Sequence, residues 1–308
     1  MSFKQEIKLK YYTASTTEKL IAVNVIAFIF FAILNTLFSL FNLRFDIVDD
    51  WLVFPKELSE FIYRPWTILT YAFLHAGIWH LIGNMILLHF SGRFFQTFFS
   101  GKRLLAVYIM GALAGALFYT LSYNFLPAFQ QVGYSYLVGA SAAVMAILVS
   151  TATYAPQMEV RLFFLGNIKI WWIAAFFVLL DLVQIPVENP GGHISHLGGA
   201  LLGYVYGYQM RRGTDIAVGL ENIFDSLQSM GSSATKSSEK NSPLRTVHKS
   251  KDQKASGGYQ STSYYRNTGR KNEKQEQIDQ ILDKISNSGY DSLTKQEKDF
   301  LFKVGKEK

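Results

Sequence analysis

Three short stretches of this chain hold the residue types that acyl-transfer chemistry needs. The first reads His75-Ala-Gly-Ile-Trp-His80-Leu-Ile-Gly-Asn84. The second is Gly139-Ala-Ser141-Ala142. The third is His193-Ile-Ser-His196-Leu-Gly-Gly199, with Gly203 one turn beyond it. A serine hydroxyl is a weak nucleophile until a neighbouring base takes its proton, and imidazole is a suitable base near neutral pH. Ser141 and His196 can fill those roles if the fold joins them. The tetrahedral intermediate also needs donors for its oxyanion. His80 and Asn84 stand four apart and so share one helical face. They could donate together with the Ser141 backbone N–H near a helix start, where such groups are unpaired. Each residue also has a plainer use. A serine in an apolar helix packs against neighbours, a histidine at a helix end meets the interface, and His80 with Asn84 could bridge helices. His75, His80, His193 and His196 could instead bind zinc or copper. The chain has no cysteine, however, and the only carboxylates near these helix ends are Asp181 and Glu188, so no metal is expected. The plain readings suit each residue better than they suit the set.

The elements that must position these groups are membrane helices. Apolar residues form long blocks up to about Met210 and are sparse afterwards. Six blocks, at about 20–42, 77–95, 104–126, 138–154, 170–186 and 194–210, approach the roughly 20 apolar residues that cross a bilayer. The expected fold is therefore an all-α integral membrane bundle of six spans. The second, fourth and sixth blocks are shorter and carry the polar residues above, which are costly in a membrane and usually functional. Lys/Arg placement sets the orientation. Lys4, Lys8, Lys10 and Lys19 precede the first span, Arg93, Lys102 and Arg103 follow the second, Arg161 and Lys169 follow the fourth, and Arg211 and Arg212 follow the sixth. Both termini are expected in the cytoplasm. Spans two, four and six then all start on the outer side, and the three stretches meet there at a similar shallow depth. His196, Gly199, Gly203 and Gly207 share one face of the sixth span, opposite a small face made by Ala142 and Ala146. Small faces let membrane helices approach closely. The net charge of +7 fits basic segments beside an anionic leaflet, so no nucleic-acid partner is expected. The first block is too long for a signal-peptide core and lacks a clear cleavage site. A transporter is disfavoured, because the polar residues gather at one end instead of midplane and no inverted repeat is apparent.

The domain plan is a cytoplasmic N-terminus over 1–19, the membrane domain over 20–210, a polar linker over 211–273 and a small helical element over 274–308. The loop at 43–76 mixes aromatics with acids and reads as an ordered interfacial lobe. The uncharged aromatic loop at 127–137 reads as touching the bilayer surface. Within the linker, Ile216, Leu220, Ile223, Phe224 and Leu227 suggest one surface helix before a disordered Ser/Lys-rich run. Near the end, Ile278, Ile281, Leu282 and Ile285 follow helical spacing up to a stop at Ser288-Gly289. Thr294-Lys-Gln-Glu297 fits a capping box ahead of Phe300, Leu301 and Val304. A cytoplasmic helix-turn-helix at about 274–306, able to dock a partner, is the expectation.

These stretches resemble the rhomboid family. Arg64-Pro-Trp-Thr-Ile-Leu-Thr-Tyr-Ala-Phe-Leu-His75 looks like the family's entry into its second helix, and His75 to Asn84 like its His…His-x-x-x-Asn motif. Gly139-Ala-Ser141-Ala142 resembles the G-x-S-x nucleophile motif, and His196-Leu-Gly-Gly199-Ala-Leu-Leu-Gly203 resembles the H-x-x-G-x-x-x-G of the last helix. The resemblance implies a Ser141–His196 dyad with no acid, an oxyanion site from His80 and Asn84, and six helices with a long first loop. It implies transmembrane proteins as substrates, cut near the outer boundary, and no cofactor. The alternative is a catalytically silent rhomboid-like protein that binds membrane clients. A Ser–His–Asp triad using Asp181 is a further alternative that the topology permits. Four positions depart from the pattern: Ala142 for Gly, Ser195 for Ala, Met145 for a stacking tyrosine, and Gln96 for a glutamate anchor. A bacterial cytoplasmic membrane is the expected location.

Overall fold

The computed structural model describes residues 2–162, 166–233, 280–285 and 289–305. The chain divides into two compact units, Met1–Lys240 and Asn241–Lys308.

In the first unit, helices α1 (Phe3–Thr13) and α2 (Thr16–Leu40) each start from a serine capping box, Ser2 with Gln5 and Ser15 with Glu18. These boxes satisfy orphan backbone donors from both directions. The expected interfacial lobe is ordered. It holds α3 (Ile47–Trp51), strand β1 (Phe54–Pro55), α4 (Leu58–Tyr63) and α5 (Thr67–Thr70), the last running into a 3-10 turn over Tyr71–Phe73. Trp66 Nε1 donates to the Trp51 carbonyl at 2.7 Å and Thr70 Oγ1 to that of Leu52 at 2.6 Å. Then come α6 (Ile78–Phe95), α7 (Gly101–Phe125), strand β2 (Tyr136–Leu137), α8 (Ser141–Tyr154), strands β3 (Glu159–Leu162) and β4 (Gly166–Lys169), α9 (Ile170–Gln184), α10 (Pro190–Arg211) and α11 (Val218–Ser233).

All six predicted blocks are helical, though their lengths differ from expectation. Among the described residues, two helices are long and apolar enough to cross a membrane, α2 and α7. A third counts if Thr67–Phe73 and α6, bent by 91° at their junction, form one span. Helices α8 and α9 have 14 and 15 residues, or about 21 and 22 Å at 1.5 Å per residue. The burial of α8 explains why it can be short: every residue from Ala142 to Ala152 is buried, so its sides meet other helices and it need not match an apolar layer.

Two departures from an all-α fold are short antiparallel ladders. Strand β1 pairs with β2, Phe54 opposite Leu137 and Pro55 opposite Tyr136, which ties the lobe to the loop before Ser141. Strands β3 and β4 pair from Glu159–Lys169 to Leu162–Gly166. The alternating Glu-Val-Arg-Leu pattern, with Val160 buried, has the period-2 character of a half-buried strand. The helical reading of the blocks passed over it.

Packing centres on α7, α8 and α10, where glycine removes the side chain that would keep backbones apart. A Cβ built on Gly199 would strike the Ala142 carbonyl, one on Gly203 the Ala146 carbonyl, and one on Gly207 would lie 2.5 Å from that of Ser150. The stripe predicted from Gly199 and Gly203 is thus a backbone-to-backbone contact, repeating every four residues on both helices. On the other side of α8, a Cβ on Gly111 or Gly115 would come within 2.5 Å of the Ala146 or Ala142 methyl. The methyl of Ala142, one of the departures noted above, fits because Gly115 faces it. Gln96 keeps an anchoring role, since its Oε1 accepts from Thr17 Oγ1 at 2.6 Å.

The helix expected from Ile216, Leu220, Ile223, Phe224 and Leu227 is present as α11, and it docks on the bundle. Ala217 is buried, and Leu220 and Phe224 pack on the core. Arg103 pairs with Asp215 at 2.7 Å and Glu221 at 3.7 Å, and Lys102 pairs with Asp225. Residues 234–279 lie outside the described set. In the second unit, 280–285 are helical and a helix spans Lys295–Gly305. Its predicted capping box is present, Thr294 N donating to Glu297 at 2.7 Å and Glu297 N to Thr294 Oγ1 at 3.4 Å. Lys284 Nζ reaches both Glu297 oxygens at 2.9 and 3.0 Å.

Two outcomes follow from this packing. Gly203→Val should cost about 1–3 kcal/mol or more by overpacking, read as a lower Tm in detergent. Gly219→Ala, with open space around its Cβ, should leave Tm unchanged or slightly raised; equal behaviour of the two would show that the glycine stripe is not a close contact. In the second unit, the Lys284 hydrogen bonds and then those of Thr294 hold the Glu297 pKa down to about 2, against an ordinary 4.5. A depressed carboxylate pKa stabilises the fold above the ordinary value, and that stability fades as pH falls from about 4.5 toward 2. Amide protection factors around Thr294–Glu297, corrected for intrinsic exchange, should therefore fall over that window, and Lys284→Gln should flatten the dependence.

Candidate active site

The loop before α8 makes a turn that only glycine accepts readily. Gly139 sits at φ +127, and a Cβ there would lie 2.8 Å from His80 Cε1 and Nε2. Its N–H donates to the Tyr71 carbonyl at 3.0 Å. Ala140 offers no side-chain cap, and the first intrahelical bond described runs from Val144 N to the Ala140 carbonyl at 3.0 Å. The N–H groups of the opening turn, Ser141's among them, are thus left for another acceptor.

His80 lies in the first turn of α6 and Asn84 one turn later. The Ala76 N–H donates to His80 Nδ1 at 3.4 Å. That nitrogen is therefore the acceptor and the ring proton sits on Nε2, the edge facing Gly139 and, beyond it, Ser141 Oγ. Asn84 Nδ2 donates to the His80 carbonyl at 2.9 Å, and the amide's second hydrogen remains for another acceptor.

Helix α10 starts from Asn189, a left-handed residue at φ 41 whose side chain accepts from Gly192 N at 3.3 Å, with Pro190 next. Pro at the first helical position costs no hydrogen bond and is pre-set for the helix. The tight turn folds α10 back on α9, so that His193 and His196, one turn apart, both face Asp181. Asp181 Oδ1 lies 2.8 Å from His193 Nδ1 and 2.7 Å from His196 Nδ1. A carboxylate only accepts, so both Nδ1 atoms carry protons. In the neutral His196 ring, Nε2 then keeps its lone pair, the tautomer a general base requires.

These residues line one cavity of about 540 Å³. Ser141 and Met145 come from α8, His80, Asn84, Trp79 and Phe90 from α6, Phe177, Leu180 and Asp181 from α9, and His193 and His196 from α10. Ser141, His196, His80 and Asn84 thus converge as the sequence predicts. Asp181 stands within hydrogen-bonding distance of His196 Nδ1, the contact that the Ser–His–Asp alternative requires. The signal was available: a carboxylate in the apolar run of α9 is costly unless partnered, and His193 stands one helical turn before His196. Among the described residues no hydrogen bond joins Ser141 Oγ to His196; such bonds are often long without substrate. His75 lies apart. Both its ring nitrogens are buried without a described partner, and it lines a second cavity with Asn35, Asp49 and Tyr136. The ligand atoms of Asp181, His193 and His196 all fall within 4.8 Å of one another.

Asp181→Asn tests the link to His196. An amide that donates to Nδ1 leaves the proton on Nε2, the wrong tautomer, and comparable changes lower kcat about 10⁴-fold. In any acyl-transfer reaction that uses Ser141 and His196, this variant should lose about 10²–10⁴ in kcat with a smaller change in KM. A near-normal kcat would show that Asp181 only tethers helices.

The rhomboid domain family matches residues 63–213, the stretch that carries every group in the cavity. Residues 266–306 match a family of unknown function, DUF6576. The mitochondrial RHOMBOID-like protein 12 of Arabidopsis thaliana is 30% identical over 160 residues, covering 49% of this chain and 48% of its own. Rhomboid-related protein 2 of Mus musculus is 26% identical over 194 residues, 59% of each chain. Rhomboid-related protein 1 of Caenorhabditis elegans is 29% identical over 168 residues, 48% of this chain and 42% of its own. The matches span about half the length of these curated relatives. With the domain match lying over the helices that carry Ser141, His80, Asn84 and His196, the chain belongs to the rhomboid family.

Proposed function

We propose that this chain is an intramembrane serine endopeptidase that cuts transmembrane segments of other proteins. The observation that carries the reading is the shared cavity, in which a serine at a helix start faces donors from α6 and a histidine pair from α10. A substrate segment enters between α6 and α9, whose outer faces are apolar and exposed at Trp79, Ile86, Phe176 and Leu179. Ser141 Oγ attacks the scissile carbonyl carbon while His196 Nε2 takes the hydroxyl proton. Asp181 holds the opposite Nδ1–H and stabilises the imidazolium. The oxyanion accepts from His80 Nε2–H, the spare Asn84 hydrogen and the Ser141 N–H. His196 returns the proton to the leaving amine, the C–N bond breaks, and an acyl-enzyme remains. Water, deprotonated by His196, then hydrolyses the ester and restores Ser141.

In this reading the six helical blocks form six spans, with both termini in the cytoplasm and the cavity near the outer boundary. Exposure of apolar residues along α2 and α9 supports contact with lipid. Lys102, Arg103 and α11 share one end of the bundle through their ion pairs, in keeping with a single cytoplasmic face. A bacterial cytoplasmic membrane is the proposed location, and the C-terminal helices dock a cytoplasmic partner. The second reading, a catalytically silent client-binding protein, draws on the missing hydrogen bond between Ser141 and His196.

One comparison separates the two. Purified full-length protein should cleave a labelled transmembrane substrate and react with a fluorophosphonate at Ser141. Ser141→Ala and His196→Ala should each lower cleavage more than about a thousandfold while the fold is retained. Substrate capture without cleavage, with no fluorophosphonate adduct, would establish the silent reading.

A further inference from the structure

We propose that Asp181, His193 and His196 form an inhibitory site for a zinc-class divalent cation. The three come from two helices and converge on one point, His193 Nδ1 and His196 Nδ1 lying 2.8 and 2.7 Å from the same Asp181 oxygen. Two imidazoles and a carboxylate are a donor set that suits Zn²⁺, which takes three protein ligands and leaves a fourth position for water. Tetrahedral zinc with these ligands separates their donor atoms by about 3.3 Å. The Asp181–histidine pairs are about half an ångström shorter than this, and the donor atoms all lie within 4.8 Å of one another, so side-chain movements of about an ångström form the site. The fourth position has room, because all three residues line the 540 Å³ cavity. The Asn189–Pro190 turn and the packing of Ser195 and Gly199 on neighbouring helices hold the His193–His196 pair in place, as a metal site requires.

The consequence for chemistry follows from the tautomer. At present each Nδ1 donates its proton to Asp181, and the His196 Nε2 lone pair is available. A cation needs the Nδ1 lone pair, so the proton of a neutral His196 ring moves to Nε2. That nitrogen becomes a donor and cannot accept the Ser141 proton. The cation also takes the Asp181 oxygen that oriented the ring. Occupancy of the site and base catalysis by His196 therefore exclude each other. The inhibitory part rests on the proposed serine-protease reading; the binding part does not.

The test uses the full chain in detergent, stripped with a chelator. In a Ser141→Ala background, titration with ZnCl₂ by calorimetry and metal analysis should give one ion per chain, and X-ray absorption should show two imidazole nitrogens among its ligands. His193→Ala and Asp181→Ala should each weaken binding by at least about 10–100-fold, while His75→Ala should leave it unchanged. No retained ion, or uptake that survives loss of both His193 and Asp181, would overturn the site. With Ser141 intact, fluorophosphonate labelling should slow about a hundredfold at saturating zinc and recover with chelator; full-rate labelling of a loaded protein would overturn the tautomer argument. If the zinc-free parent never labels, the protease reading fails while the titration still decides the metal site.

Discussion

Everything in the cavity depends on how closely α10 lies against α8. Gly199, Gly203 and Gly207 bring the α10 backbone onto the carbonyls of Ala142, Ala146 and Ser150. In a membrane, helices gain little from excluding water and associate through close packing and polar contacts. A glycine every four residues supplies that packing. The same register lays the first two turns of α10 beside the start of α8, so the contact that holds the bundle also sets where His196 stands relative to Ser141. Gly111 and Gly115 on α7 complete the enclosure.

The second constraint is a buried carboxylate. Asp181 is 6% exposed in a helix whose other residues, Gln184 at its end apart, are apolar, where an unpartnered charge would be expensive. Two N–H donors from one face of α10 satisfy it. The arrangement links α9 to α10 and fixes both imidazole tautomers together, so the ring orientation at His196 depends on His193 as well. Stability and chemistry here draw on the same oxygen, which makes the site sensitive to anything that competes for it.

Much of this was legible in the sequence because membrane helices leave few alternatives. The six apolar blocks all appear as helices, and motif spacing found Ser141, His80, Asn84 and His196 together with the glycine stripe. The capping box at Thr294–Glu297 was read correctly from four residues. Less was visible where long-range contact decides. The β1–β2 tie joins residues some eighty positions apart, and nothing local marks either strand. The docking of α11 needed Asp215, Glu221 and Asp225 to meet Lys102 and Arg103, a pairing that charge composition alone does not specify. Asp181 was seen as a possible partner, but the turn at Asn189 that aims both histidines at it rests on a left-handed backbone that the sequence does not announce.

The enclosure of α8 carries a consequence for adaptation to different bilayers. A helix whose residues from Ala142 to Ala152 are all buried in protein offers lipid no surface along that stretch, and so escapes hydrophobic mismatch there when bilayer thickness changes. Tilting or stretching to suit a thinner or thicker lipid layer falls to the exposed outer helices, α2 above all. The strand tie at Phe54–Leu137 joins the loop before α8 to the lobe, and the hydroxyls of Tyr71 and Tyr108, which donate to the Ala112 and Ala72 carbonyls at 2.6 and 2.7 Å, join the lobe to α7. Ser141 is in effect mounted on an internal post, insulated from the medium that the outer wall must accommodate.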